Sequence, residues 1–290
     1  MSTTVRPAPH RGFATPAERA LFRLELSEAL RSRWLVFVGV VYLAVFGGFV
    51  WLGMRESTVL GFTGVSRVVL NLSNAVVLAL PLVALIATAH TVVRARTSGF
   101  FELFLTQPCR RSEWYAAALA ARVVTVVGPL VLVLCVALAV GLARGEPEVA
   151  PLVARTLAVS LALIWAYVGL GFWISARART PERATVLALF VWLLGAALHD
   201  FALLGVLLQA KLSPPVVFTL AALNPVEAAR LAILSGIDPE LSVLGPVGFW
   251  LANTLGAKWT LLVGVGWPAL VGTLGVGLGL RRLQRDDLVA

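Results

Sequence analysis

Residues 117–142 read AALAARVVTVVGPLVLVLCVALAVGL, and Arg122 is the only charged residue in this stretch. A transmembrane helix needs about 20 predominantly apolar residues to cross about 30 Å of hydrocarbon. Backbone groups in lipid must find hydrogen-bond partners inside the segment, which favours a helix. The stretch is also much longer than a transmembrane β-strand of about 9–11 residues. It therefore predicts a helix that crosses a membrane.

The rest of the chain shows the same character. Of its 290 residues, 59% are hydrophobic and 13% are charged, with a mean hydropathy of +0.89, whereas soluble domains carry about 25% charged residues. We predict an all-α integral membrane protein with an N-terminal segment 1–33, an outer segment 209–258 and a tail 281–290. The six predicted transmembrane helices are Trp34–Gly53, Val69–Val93, Ala117–Leu142, Pro151–Ser175, Thr185–Leu208 and Trp259–Leu280.

The positive charges predict an orientation in the membrane. The net charge is +9, and the basic residues flank the apolar runs, so they indicate contact with membrane lipid and not with nucleic acid. Most of the 24 Lys and Arg residues fall in the N-terminal segment, in the turns 94–113 and 175–183, and in the C-terminal tail. We therefore predict that both termini and both turns are cytoplasmic.

A helix is predicted before the first span. Thr15-Pro16-Ala17-Glu18 has the pattern of a capping box with proline at the first helical position. The apolar stripe expected on this helix consists of Phe22, Leu26, Ala29 and Leu30. Such a helix is typical of a segment lying along the inner leaflet. The alternative is a simple extension of the first span.

The turn between the second and third spans predicts a short aromatic helix. Ser98 and Gly99 begin it and Pro108 ends it. Its apolar side chains are Phe100, Phe101, Leu103, Phe104 and Leu105. Exposed apolar surface of this kind usually marks a docking site. The alternative is a helix packed back on the bundle.

Two further helix starts are visible. Thr180-Pro181 begins the fifth span, and Asn224-Pro225-Val226-Glu227 begins an outer helix of about ten residues that ends at Ser235-Gly236. The outer helix is too short to span, so we expect it on the outer surface or partly within the membrane.

Three polar residues are candidates for an intramembrane role. His199 and Asp200 lie in the fifth span, where a carboxylate is costly and often functional. The alternatives are an interhelical hydrogen bond and a position near the outer interface. Arg155 lies one turn into the fourth span and is expected to extend toward the outer interface. Gly275 and Gly279 have the spacing of a close helix contact.

The chain offers no catalytic constellation. His10, His90 and His199 have no metal-ligand spacing, so we expect no metal site. The Gly-Lys-[Ser/Thr] of a P-loop is missing, because Lys211 and Lys258 both follow alanine. We therefore expect that this chain is not an enzyme and that any ATP-driven work needs a partner.

The segment Ser98-Gly99-Phe100-Phe101-Glu102-Leu103-Phe104-Leu105-Thr106-Gln107-Pro108 resembles the coupling-helix signature of ABC-2 type transporter permeases. The resemblance implies a type V exporter-like fold, in which six helices follow an interfacial helix, and a homodimer in the bacterial or archaeal cytoplasmic membrane. It also implies that a partner ATPase binds ATP and magnesium. The residues it assigns to ATPase coupling are Gly99, Phe100, Phe101, Glu102, Leu103, Phe104, Leu105 and Pro108, with Arg179 and Glu182 in the second turn.

A narrower resemblance is to the Nos-type (NosY) permeases. It is carried by Trp51-Leu52-Gly53, Gly61-Phe62-Thr63, Asp200 before Leu203-Leu204, Leu223-Asn224-Pro225, Arg230-Leu231 and Leu234-Ser235-Gly236. It implies a NosF-like ATPase, a NosD-like periplasmic β-helical protein, and a role in assembling the copper and sulfur site of nitrous oxide reductase. Asn224, Pro225, Glu227 and Arg230 are then expected to contact the outer partner. The alternatives are an ABC-2 exporter of drugs, lipids or polysaccharide and a membrane assembly factor that needs no ATPase.

Overall fold

The structure is a computed structural model, and it describes residues 16–31, 36, 39–40, 42, 44, 77, 79–104, 106–107, 109–145, 149–210, 212–236, 238, 241 and 245–285. Within these residues the regular elements are all helices, as predicted. They are α1 (Pro16–Arg31), α2 (Ala79–Thr97), α3 (Phe100–Phe104), α4 (Arg111–Ala143), α5 (Val149–Arg177), α6 (Pro181–Gln209), α7 (Pro214–Ala222), α8 (Pro225–Leu234), α9 (Gly245–Thr254) and α10 (Gly256–Arg285).

Five helices are long and apolar enough to cross a membrane: α2, α4, α5, α6 and α10. The last five predicted spans fall on these helices, while Trp34–Gly53 lies mostly outside the described residues. The short helices α7 and α8 meet at 117° and pass the same test together, as one broken span or a re-entrant loop. The described residues thus contain five membrane helices, or six if this bent pair counts as one.

Helix α5 forms the centre of the bundle, and α10 packs along it. Glycines make this contact close. A Cβ atom on Gly275 would lie 2.6 Å from the carbonyl carbon of Gly169, and one on Gly279 would lie 3.3 Å from the backbone of Phe172. Gly272 also meets the backbone of α5. The predicted close contact of Gly275 and Gly279 is confirmed, and Gly272 adds to it.

Helix α1 packs against the first half of α4, but with a face that differs from the predicted stripe. Of its four residues, Ala29 is buried, Phe22 and Leu26 are partly buried, and Leu30 is exposed. Glu25, and not Leu30, is buried against α4. The predicted stripe therefore does not coincide with the face of α1 that contacts α4, because Trp114 and Arg122 of α4 hold Glu25 inside.

Arginine contacts bring the predicted cytoplasmic turns to one end of the bundle. The guanidinium of Arg96 donates to the carbonyls of Ala176 and Ala178 at 3.3 and 3.5 Å, joining the turn after α2 to the turn after α5. Arg111, at the start of α4, donates to the carbonyl of Leu283 near the end of α10 at 3.2 Å. We call this region, residues 91–113, 175–183 and 280–285, the basic end. Helix α8 lies at the opposite end of α5 and α6.

Candidate functional site

Helix α3 lies at the basic end, between α2 and α4. Gly99 makes the turn into it with φ of +73°, a backbone conformation that favours glycine. Its amino end is closed by a hydrogen bond from the Glu102 amide to the Gly99 carbonyl at 3.1 Å. This places a helix of five residues, Phe100–Phe104, at the position of the predicted coupling helix. Leu105 and Pro108, which were also predicted to belong to it, lie outside the described residues.

The aromatic rings of α3 point into the protein. The ring of Phe101 is 1% exposed and meets the Trp114 ring edge to face at 4.8 Å between centroids. Phe104 is also buried, and Phe100 stacks on it at 5.6 Å. The interpretation of Phe101 and Phe104 as side chains that dock on a partner is therefore wrong, since the helix is packed back on the bundle. Burying both rings against α4 removes more apolar surface from water than leaving them free would.

The outward face of α3 consists of different side chains. Leu103 is 75% exposed, and Glu102 is exposed beside it. Arg179 and Glu182, in the second turn of the same end, are exposed as well. Among the described residues of the two turns, the surface available to a partner is therefore Leu103 among charged side chains, and a buried aromatic cluster holds it in place.

Trp114 also ties α3 to the N-terminal helix. Its indole Nε1 donates to Oε1 of Glu25 at 2.8 Å, and Arg122 lies 3.9 Å from the other carboxylate oxygen. Burial raises the pKa of Glu25, while the Trp114 hydrogen bond and the charge of Arg122 act in the opposite direction. The sequence analysis did not predict this cluster, although the acidic Glu25 beside the apolar stripe of α1 is consistent with it.

The second turn connects to the first through a serine. The hydroxyl oxygen of Ser175, near the end of α5, accepts hydrogen bonds from the backbone N–H groups of Val92 and Val93 at 2.9 and 3.1 Å. Helix α6 then begins as predicted, with Pro181 in its first turn and the Thr180 side chain accepting from the Arg183 amide. The two turns of the basic end are thus hydrogen-bonded to each other.

At the opposite end, α6 carries a turn of π-helix at Leu194–Leu198. Such turns are rare and often occur at functional sites. The Asn224 side-chain amide donates to the carbonyl of Gly195 in this turn at 2.6 Å. Its oxygen accepts from the Val226 amide at 3.0 Å, so the predicted N-cap of α8 is confirmed. One side chain therefore both starts α8 and attaches it to α6.

Because Asn224 is buried and both ends of its amide are used inside the chain, it is not an exposed contact for an outer partner, contrary to prediction. Glu227 is 13% exposed and also faces inward. Pro225 and Arg230 are partly exposed. The part of the predicted outer contact that a partner could reach is Pro225 and Arg230.

We expect Asn224→Asp to destabilise the protein. A carboxylate still accepts from the Val226 amide but has no proton to donate, so its oxygen would face the Gly195 carbonyl. An unmade buried hydrogen bond costs about 1–3 kcal/mol. Melting of the purified protein in detergent measures the effect. Asn253→Asp is the matched control, because Asn253 makes the same amide-to-carbonyl bond at an exposed position. Equal melting temperatures for the two variants would contradict the role assigned to Asn224.

Asp200 pairs with an arginine of α8. Its Oδ2 lies 3.4 Å from Nη1 of Arg230, which also lies 2.7 Å from Oε1 of Glu227. Two carboxylates thus share one guanidinium. The arginine that pairs with Asp200 is thus Arg230 of α8 and not Arg155 of the neighbouring span.

We expect Asp200→Asn to leave assembly and melting unchanged. Asparagine keeps the size of the aspartate side chain and an oxygen that can still accept from the Arg230 guanidinium. Arg230 also keeps its shorter contact with Glu227. The measurement is the melting temperature together with the size of the complex in detergent. A loss as large as that of Asn224→Asp would show that the pair stabilises the bundle.

Arg155 holds the other end of α8. Its guanidinium donates to the Ala232 carbonyl at 2.6 Å, to the Ser235 hydroxyl at 2.7 Å and to the Ala257 carbonyl at 3.1 Å. Gly236 packs directly on this side chain. Arg155 therefore caps the carboxyl end of α8 and fixes it to α5 and the start of α10.

His199, adjacent to Asp200, is partly buried, and no side chain or backbone group of the described residues hydrogen-bonds to its Nε2 atom. Nor do three His, Cys, Asp or Glu side chains come close enough to hold a metal ion anywhere in the described part of the chain. The polar groups at this end connect helices to one another.

Comparison with known proteins shows similarity to transporter proteins. Residues 19–288 match the family model described as ABC-2 family transporter protein. A protein of Stutzerimonas stutzeri named "Probable ABC transporter permease protein NosY" is 29% identical over 265 residues, which cover 88% of this chain and 93% of that protein. A Pseudomonas aeruginosa protein with the same name is 30% identical over 275 residues, 92% of this chain and 99% of that protein.

Proposed function

Because the chain belongs to the ABC-2 transporter family, we propose that it is the permease subunit of an ABC transporter and works as a homodimer with two ATPase subunits. ATP and magnesium bind to that partner. The permease receives the movement of the ATPase at the basic end and passes it to the opposite end, in the cytoplasmic membrane with both termini in the cytoplasm. The charge pattern of the turns supports this orientation.

The proposal rests on the way α3 is packed. The aromatic rings of α3 are buried against Trp114, and Leu103 and Glu102 form its outward face. Because the rings fix α3 to α4, a movement of the ATPase against α3 is passed on to α4. Through Trp114 the same cluster reaches Glu25 of α1. A force applied to α3 would therefore move α1 and α4 with it.

We expect Leu103→Asp to remove the ATPase from the purified complex. Leu103 is the exposed aliphatic side chain of α3, and anchors in desolvated pockets cost about 2 kcal/mol or more when lost, on the order of a thirtyfold weaker complex. The measurement is copurification of the ATPase, with the melting temperature of the permease as the test of folding.

Leu30→Asp is the matched control, since Leu30 is an exposed leucine of α1 that should not contact the ATPase. Phe101→Ala should behave differently from Leu103→Asp, because it opens a cavity in the buried cluster and lowers the melting temperature itself. Full retention of the ATPase by Leu103→Asp would refute the proposed docking face.

The contacts of α8 support a route to the opposite end. Helix α6 starts at the second turn and holds the amino end of α8 through Asn224. Helix α5 ends at that turn and holds the carboxyl end of α8 through Arg155. If α5 and α6 shift relative to each other, α8 is tilted. This is rigid-body coupling through packed helices.

We further propose that the outer end acts on a periplasmic β-helical protein of the NosD kind, with a NosF-like ATPase inside, in assembling the copper and sulfur site of nitrous oxide reductase. The support is the name of the relatives from S. stutzeri and P. aeruginosa and the residues that resemble Nos-type permeases. Deletion of this gene should leave nitrous oxide reductase without its copper and sulfur site, as read from its absorption spectrum.

The same assay, applied to a strain with Asp200→Asn, tests whether Asp200 has a function, because this variant should assemble normally. Loss of the mature enzyme would give Asp200 a functional role at the outer end. A normal spectrum in the deletion strain would favour the alternative, an exporter of drugs, lipids or polysaccharide.

A further inference from the structure

A cleft of about 950 Å³ separates α1 from the second half of α2. Phe100 of α3 and Trp114 and Arg122 of α4 close its inner side. The cleft thus lies directly beside the aromatic cluster at the basic end. None of the roles proposed above uses it.

The lining changes from polar to apolar along α2. Arg94, Thr97 and Ser98 form the part nearest the end of the helix, while Ile86 and Ala87 form the other part. From Arg94 to Ile86 is about 12 Å along a helix that rises 1.5 Å per residue. Since the apolar part of α2 is the part that enters the membrane, the cleft runs from the headgroup level into the hydrocarbon level of one leaflet.

Three charged side chains in the cleft wall are not neutralised inside the chain. Among the described residues, Glu28, Arg31 and Arg94 form no ion pair. By contrast Glu25, which also lines the cleft, is held by Trp114 and Arg122. His90 faces the cleft and lies 2.8 Å from the hydroxyl of Thr185. The charged side chains of the cleft that form no ion pair are therefore of both signs, two positive and one negative.

We propose that this cleft binds a phospholipid of the leaflet on the basic side, with its headgroup between α1 and α2. The phosphate contacts Arg31 and Arg94, a headgroup ammonium contacts Glu28, and an acyl chain lies along Ile86 and Ala87. Arginine donors bind phosphate by charge-assisted hydrogen bonds. A lipid in this position fills the space between α1 and α2. It also contacts Phe100, one of the aromatic rings of α3.

Native mass spectrometry of the full-length protein, released from detergent with defined lipids, tests the site. We expect wild-type protein to retain phosphatidylethanolamine in preference to phosphatidylglycerol, which has phosphate but no ammonium. The double variant R31Q/R94Q should retain both lipids on the order of tenfold less. E28Q should keep phosphatidylglycerol and lose the preference for phosphatidylethanolamine.

R23Q is the matched control, because Arg23 is an exposed arginine of the same helix that does not line the cleft. Ile86→Trp supplies an independent variant, since the larger ring fills the apolar part and should lower lipid retention while both arginines remain. Equal lipid retention in R31Q/R94Q and R23Q would overturn the proposal. Displacement of the lipid by millimolar inorganic phosphate would also overturn it, because it would reveal a site for free phosphate.

Discussion

Gly275→Ala is expected to separate α5 from α10 and to lower the melting temperature of the protein strongly. A Cβ atom at this position would lie 2.6 and 2.7 Å from the carbonyl carbon and oxygen of Gly169, and 2.9 Å from the amide nitrogen of Leu170. These are backbone atoms of the central helix, so no side chain can rotate away to make room. Overpacking of this kind costs about 1–3 kcal/mol, and here it acts on the most extensive contact between the described helices.

Gly277→Ala is the control for this prediction. Gly277 lies in the same helix, and a Cβ atom there would meet nothing within 4 Å. Both substitutions remove the same backbone freedom and add the same methyl group, so the difference between them isolates the contact with α5. Melting in detergent and the yield of monodisperse protein measure the difference. Similar values for both variants would mean that α5 and α10 are not packed through their glycines.

Arg155→Met should release α8 from α5. The substitution keeps an apolar side chain but removes the donors to the Ala232 carbonyl, the Ser235 hydroxyl and the Ala257 carbonyl. Hydrogen bonds to a charged group contribute about 1.5–3 kcal/mol, and the acceptors left behind add to the cost. We expect a loss of about 3 kcal/mol, together with faster proteolysis at the end of α8.

Arg155→Lys refines this experiment, because lysine retains the charge and loses the planar guanidinium that reaches three acceptors at once. It should be intermediate between wild type and Arg155→Met. Arg144→Met, at an exposed arginine that follows α4, serves as the control for removing a positive charge. If Arg155→Met melts like Arg144→Met, the cap on α8 contributes nothing to stability.

Much of this protein follows from local features of its sequence. Residues 117–142 are apolar for longer than a membrane is thick, so the class of the fold needs no tertiary contact. The starts of α6 and α8 were also predictable, since Thr180-Pro181 and Asn224-Pro225 act on backbone groups one to three residues away. The turn at Gly99 belongs to the same group, because its conformation is a property of the glycine itself.

Other features depended on which helix faces which. The sequence marked Phe101 and Phe104 as apolar, but only the position of Trp114 decided that they are buried and that Leu103 is exposed. Asp200 and Arg155 are polar residues of neighbouring spans, yet each is bound to a different part of α8. Caps and apolar runs are interactions within one or two turns of chain. Partners 30 or 77 residues apart are chosen by the rotation and depth of packed helices, which no local pattern contains.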